Sequence, residues 1–174
     1  MRLVRLLFLS IFFLFLLITG ISLFIPSHVR ISRATNFMGE NDLIWQKVDD
    51  MRSWSAWNPF FSNLTNATVV YIDSTGAKAS GMKVNNTSIA FTSVTPAERI
   101  VKMHTDNKTF MNGWKCISHG TSDSTTLQWY MDFDLRWYPW EKFASLLFDQ
   151  SYGGRMEEGL GNLKKIVHDN HSSH

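Results

Sequence analysis

Asp132 and Asp134 stand two residues apart in a run that alternates apolar and polar side chains. Two carboxylates on one strand face can do acid–base work on a substrate between them. The alternation argues against that role. Leu127, Trp129, Met131, Phe133 and Leu135 share the opposite face, so a strand that buries its apolar side turns both aspartates to water. His168, His171 and His174 recur at intervals of three and could hold a transition metal loosely. A terminal tail gives such a set no rigid supporting shell. His104 and His119 lie on strand-like runs with no visible partner. Cys116 is the single cysteine, which rules out an intrachain disulfide, and its strand-like surroundings point to a packed, inert thiol. The sequence has no dinucleotide glycine fingerprint, phosphate loop, His-Glu-x-x-His, Cys-x-x-Cys or Gly-x-Ser-x-Gly. No catalytic residue, metal ligand or cofactor is assigned.

The remaining chemistry is aromatic. Asp50 to Pro59 reads DMRSWSAWNP, with two tryptophans three apart in a short connecting segment. Each has a large apolar ring and one N–H that needs a partner. Such a pair either caps an apolar hollow or plugs it. Trp54, Trp57, Phe60, Trp114, Trp129, Met131, Phe133, Phe143 and Leu147 could line one hollow. On spacing alone, filling a core is the simpler outcome.

A net charge of +2 with scattered lysines and arginines gives no basic stripe, so nucleic acid is not an expected partner. From Leu6 to Ile25 the polar residues are only Ser10, Thr19 and Ser22. That is about 20 residues, the length that crosses a hydrocarbon core of ~30 Å. No small-x-small cleavage site follows it, so the expectation is an uncleaved single-pass anchor. Arg2 and Arg5 precede the span and favour a cytoplasmic N-terminus. The domain is then expected on the periplasmic or extracytoplasmic side. Asn-x-Ser/Thr sequons, among them those beginning at Asn63, Asn66, Asn86, Asn107 and Asn170, would matter only in a eukaryotic secretory route.

Pro26 should end the anchor helix, and a strand over 28–36 follows with almost no linker. A helix is expected around 41–51, with Leu43, Ile44, Val48 and Met51 on one face and an N-cap in the Asn41 region. Strands are expected near 68–73, 78–84, 87–95, 100–105, 109–119 and 125–136, separated by turn signals such as Ser74-Thr75-Gly76 and Gly120-Thr121-Ser122-Asp123. From Pro139 onward the apolar spacing becomes helical, and Gly153-Gly154 should kink or break that helix.

Two regions carry a resemblance to a known superfamily. One is Ile44-Trp45, Val48, Asp50, Trp54, Trp57 and Pro59. The other is Phe148-Asp149 followed by Gly159-Leu160-Gly161-Asn162-Leu163-Lys164-Lys165. In this order the chain resembles the START-like ligand-binding superfamily, in particular its polyketide cyclase/dehydrase-like branch, from Pro26 to about Val167. The resemblance implies an α+β helix-grip fold, a curved antiparallel sheet of six or seven strands packed on a long C-terminal helix, here after one transmembrane helix. The implied organisation is an anchor at 1–26, the helix-grip domain at 27–168 and a disordered tail at 169–174. The space between sheet and helix is often a ligand cavity in this superfamily. The resemblance therefore turns the aromatic set, with Met103 added, into expected ligand-binding residues for a hydrophobic small molecule or lipid. A cyclase/dehydratase-type enzyme and a protein-interaction module of the cell envelope are the alternatives, since one fold hosts many functions.

Overall fold

A computed structural model describes residues 2–38, 41–64, 67–73, 78–106, 108–118 and 124–171. The expected Ser74-Thr75-Gly76 and Gly120 to Asp123 turns, together with His119 and His174, lie outside the described residues. The chain runs α1 (Arg2–Ser22), β1 (His28–Met38) and α2 (Asn41–Val48). A 3-10 turn (Met51–Ser53) and a single helical turn, α3 (Trp54–Trp57), follow. Then come β2 (Val69–Asp73), β3 (Ala79–Val84), β4 (Thr87–Val94), β5 (Glu98–Thr105), β6 (Lys108–Ser118) and β7 (Ser124–Asp134), and finally α4 (Pro139–Ser145) and α5 (Phe148–His171).

The seven strands form one antiparallel sheet in the order β1-β7-β6-β5-β4-β3-β2. Strands β2 to β7 are a meander, and the first strand returns to pair with the last. Irregular register at Ile72/Asp73 and Phe91/Ser93 bends the sheet. Its inner face holds α5, which packs mainly on β1. This is the α+β helix-grip architecture, with an apolar helix at its N-terminus.

The alternation in β7 sorts its side chains as its sequence implies. Leu127, Trp129, Met131 and Phe133 are buried on the inner face. On the outer face, Asp132 takes a two-pronged ion pair from Arg30 at 2.6 Å and keeps only 12% of its side chain exposed. Asp134 is 83% exposed and pairs with His28 at 2.8 Å. The solvent-facing expectation thus holds for Asp134, while the Arg30 guanidinium roofs Asp132.

Helix α1 ends at Ser22, ahead of Pro26, and residues 23 and 24 form a turn. The proline disfavours helical geometry at Ile25 before it. The stretch 41–51 is helical only to Val48. There the Asp50 carboxylate accepts from the Arg52 N–H at 3.1 Å and the Ala79 N–H at 3.2 Å, starting a new turn and tying it to β3. Arg99, 8% exposed, pairs with Asp49 at 2.6 Å and lies over the Trp45 ring at 4.3 Å, so α2 is clamped to the start of β5.

Gly153-Gly154 does not break the C-terminal helix. The break falls at Leu146-Leu147, and α5 runs unbroken through both glycines. The reason is a close approach. A Cβ on Gly153 would lie 2.2 Å from the Arg33 guanidinium, which is held by Asp149 at 2.9 Å and Glu157 at 2.6 Å. Those carboxylates stand one turn before and one turn after Gly153, so the missing side chain makes the seat for the arginine. Gly159 does the same for Trp129, whose ring would meet an added Cβ at 2.7 Å, with Pro59 at 3.0 Å.

The helical glycines therefore divide into two kinds. An added methyl meets nothing at Gly161, so Gly161→Ala should stabilise by about 1 kcal/mol through helix propensity. Gly159→Ala presses on a rigid ring and should destabilise by ~1–3 kcal/mol. Urea melts of the two variants should move their midpoints in opposite directions.

Candidate functional site

The sequence-derived site residues separate into three places. Trp54, Trp57, Trp114 and Trp129 are each at most 1% exposed and touch one another. Ring centroids lie 5.1 Å apart for Trp54 and Trp114, 5.6 Å for the stacked Trp114 and Trp129, and 5.8 Å for Trp57 and Trp129. Met103 and Met131 are buried in the same core, and Phe60 packs edge-on to Trp129. This end of the space between sheet and helix is filled by indole rings. Phe143 is half-buried on α4, and Leu147 is 60% exposed. Phe133 alone of the set borders an open cleft.

The tryptophan cluster owes its position to local hydrogen bonds. The Trp54 Nε1–H donates to the Val48 carbonyl at 2.9 Å and pins α3 to the end of α2. Asn58 closes an Asx turn onto the Phe60 N–H at 3.1 Å. From α5, the Asn162 amide reaches the Trp57 carbonyl at 3.5 Å. The Trp129 Nε1–H donates to Asn112 Oδ1 at 2.7 Å, and Asn112 is 1% exposed. The indole N–H groups of Trp57 and Trp114 are buried with no acceptor among the described residues.

The cleft has a volume of about 310 Å³ and lies at the other end of the helix. Lys108, Thr109 and Phe110 of β6 form one side, and Phe133 to Arg136, at and just past the end of β7, form the floor. Trp140, Glu141 and Ala144 of α4 and Phe148 and Tyr152 of α5 close the rest. Its wall is aromatic: Phe110 stacks on Phe133 at 5.6 Å, and Phe133 meets Phe148 at 4.8 Å and Tyr152 at 5.1 Å. Its mouth is charged, with Arg136 and Glu141 paired at 3.5 Å. Phe110, Trp140 and Tyr152 are not among the residues read from the sequence as a site, and Phe148 enters there only through the family resemblance. The signal for Phe110 is its register opposite Phe133 in the β6–β7 ladder. A second hollow of about 350 Å³ lies over α2, between Asp42, Gln46, Lys78 and the Arg99–Asp49 pair.

Of the other chemical candidates, Asp134 borders the cleft, and the histidines and Cys116 among the described residues fall outside it. His104 is exposed on β5 and contacts Thr109 at 2.9 Å. His168 is exposed near the end of α5 beside Asp169. No group of three or more His, Cys, Asp or Glu able to hold a metal occurs among the described residues. Burial pushes the Cys116 thiol up to about 11, partly countered by the Arg99 charge, so it stays protonated and unreactive at neutral pH.

Trp129 and Trp57 are matched in burial but not in bonding. Trp129→Phe leaves the Asn112 oxygen unpaired, whereas Trp57→Phe removes an N–H that has no partner among the described residues. Chemical denaturation should show Trp129→Phe as the more costly by ~1–3 kcal/mol. On the outer face, burial and the 2.9 Å bond from the Tyr130 hydroxyl to Glu98 push the Tyr130 phenol from 10.0 up to about 12. A raised folded value favours the protonated form, so its contribution is full below pH 10 and falls as pH rises from 10 to about 12. Tyr130→Phe should flatten the stability profile in that window.

The sequence profile of the family described as polyketide cyclase/dehydrase and lipid transport matches residues 28–168. No curated protein sequence matches. Solved structures share the fold. A START superfamily protein from Mycobacterium smegmatis aligns with a TM-score of 0.53 at 15% identity, covering 80% of this chain and 97% of its own. XoxI from Bacillus cereus aligns at 0.56 and 10% identity, covering 82% and 98%. DynU16, from the dynemicin biosynthetic locus, aligns at 0.52 and 17% identity, covering 82% of this chain and 48% of that one, so the chain spans about half of its length. With its helix-grip fold, its joined tryptophan and glycine segments and a profile match over most of its length, the chain belongs to the polyketide cyclase/dehydrase and lipid transport family.

Proposed function

We propose that this protein is a membrane-tethered binding module for a hydrophobic small molecule or lipid, held in the cleft between β6, β7, α4 and the start of α5. The supporting observation is the character of that cleft: an aromatic wall of Phe110, Phe133, Phe148 and Tyr152 under a charged mouth. Apolar walls with a few polar groups at one end suit an amphiphile, whose body is buried and whose head stays near water. Burying roughly 300 Å² of ligand apolar surface contributes about 7 kcal/mol at ~25 cal/mol per Å². The cost of association brings this to roughly micromolar affinity or weaker. The family description, which names lipid transport, agrees with this ligand class.

Tethering rests on α1, whose apolar stretch is long enough to span a bilayer and is exposed along its length up to Ile18. Arg2 and Arg5 at its start support an orientation with the N-terminus in the cytoplasm and the domain across the membrane. An enzymatic reading would assign acid–base roles to Asp134 and Glu141 at the cleft mouth. Asp134 is 83% exposed and paired with His28, and Glu141 is paired with Arg136. Asp134 lacks the desolvated setting that tunes a carboxylate for proton transfer, and Glu141, whose side chain is 17% exposed, is engaged by the Arg136 guanidinium. Binding is the better reading.

Ala144→Trp tests the cleft, because Ala144 is exposed and lines it. Uptake of a fluorescent fatty acid by the detergent-solubilised full chain should fall at least tenfold. Stability should change by less than about 0.5 kcal/mol, as for other surface substitutions. Unchanged uptake in the variant would remove the cleft as the binding site.

A further inference from the structure

Five of the seven tryptophans are in the core, each at most 6% exposed. The other two, Trp137 and Trp140, are 64% and 63% exposed. Tyr138 lies between them, with ring centroids 4.9 Å from Trp137 and 4.8 Å from Trp140, nearly parallel to the latter. At the far end of α4, Leu146 and Leu147 are 65% and 60% exposed. A short segment thus shows two exposed indoles, a half-buried tyrosine ring and two leucines at the surface of a protein that keeps its other indoles at most 6% exposed. Such a patch marks a contact surface.

The fold fixes where this patch lies. Helix α4 packs against the end of α1. Ser22 and Ser145 are buried, and the Lys142 ammonium, itself 5% exposed, donates to the Ile25 carbonyl at 2.8 Å. The Leu135 N–H, one residue past β7, donates to the Ser27 carbonyl at 2.7 Å. No flexible spacer separates the apolar helix from the patch. The exposed side chains Leu23 and Phe24, at 69% and 90%, carry the apolar surface of α1 to the same level. Tryptophan and tyrosine prefer the membrane–water interface, where an apolar ring and a polar N–H or O–H are both satisfied.

We infer that the segment 136–147 is a second membrane contact, lying in the headgroup layer of the same bilayer that α1 spans and presenting the cleft mouth to that lipid surface. The inference rests on the membrane-tethered reading and extends it: Trp140 is both an exposed ring of the patch and a wall of the cleft, so the amphiphile that enters is a bilayer lipid. Arg136, beside the mouth and 5.6 Å from the Tyr138 ring, and its partner Glu141 put a charged pair at headgroup level.

The test uses the full chain reconstituted in phosphatidylcholine vesicles, with or without bromine on the acyl chains just below the headgroup. Helix α1 contains no tryptophan, and the core indoles are sealed in the domain, so short-range bromine quenching reads Trp137 and Trp140. The expected result is a bromine-dependent loss of emission. The loss should vanish in Trp137→Ser/Trp140→Ser, with an unchanged far-ultraviolet circular dichroism spectrum as the check on folding. The same vesicles are washed with alkaline carbonate to read α1 separately. Quenching supports the headgroup contact whether or not the protein survives the wash, and loss in the wash overturns only the spanning helix. Retention in the wash without quenching overturns the headgroup contact and leaves the anchor standing. Loss in the wash without quenching overturns both. Shielding of the two indoles from acrylamide without bromine quenching means that protein covers the patch, and also overturns the inference.

Discussion

The packing of four indole rings between the sheet and α5 is the contact on which the rest of the domain depends. Trp54 and Trp57 come from a one-turn helix, Trp114 from β6 and Trp129 from β7, so the cluster joins three parts of the chain that are distant in sequence. Rings of this size bury ~150–250 Å² each, which makes them the main apolar contribution at that end of the core. Their fit requires close backbone approach from the helix. Gly159 supplies it at Trp129, and Asn162, one turn on, bonds the carbonyl of Trp57. The two sequence segments that carry the family resemblance therefore meet in space as a packing joint.

That joint also explains where the cleft is. A helix laid across a bent sheet cannot be in tight contact along its whole length. Here the tryptophan end is full and the Phe133 end is open. Phe133 stands at the boundary, with Met131 sealed behind it and Phe110, Phe148 and Tyr152 around the hollow in front. The break at Leu146-Leu147 contributes as well, because it lets α4 turn aside from α5 and leave room between them. A single straight helix from Pro139 would have no separate α4 to form that wall.

The two faces of β1 and β7 divide polar and apolar work. Inside, Arg33 is the one cation facing α5 from β1, and its guanidinium is held by carboxylates on either side of Gly153. Outside, Arg30 pairs with Asp132 and lies 4.3 Å over the Tyr130 ring, whose hydroxyl reaches Glu98. That network spans β1, β7 and β5 and staples the sheet across the ladder that no hairpin joins. Exposed ion pairs contribute little singly. This one is partly covered and shared among several groups, and it fixes the register of the first strand against the last.

The sequence by itself determined the strands and most of the helical stretches, and the family resemblance of its tryptophan and glycine segments implied the class of fold. Alternation in 125–136 fixed which side of β7 is buried, because side chains on a strand have a period of two. The turn residues divided the meander, and the apolar run near the N-terminus defined α1 by length and composition. The sequence also showed that the aromatic residues were the site candidates, but not which of them would be packed and which left beside a hollow. That was decided by tertiary structure, since a cleft is where side chains from four elements fail to meet, and no local pattern encodes such a gap. The same holds for the glycines. Read alone, Gly153-Gly154 weakens a helix. In the folded chain Arg33 occupies the space of the missing side chain, and the contact between distant residues overrides the local preference.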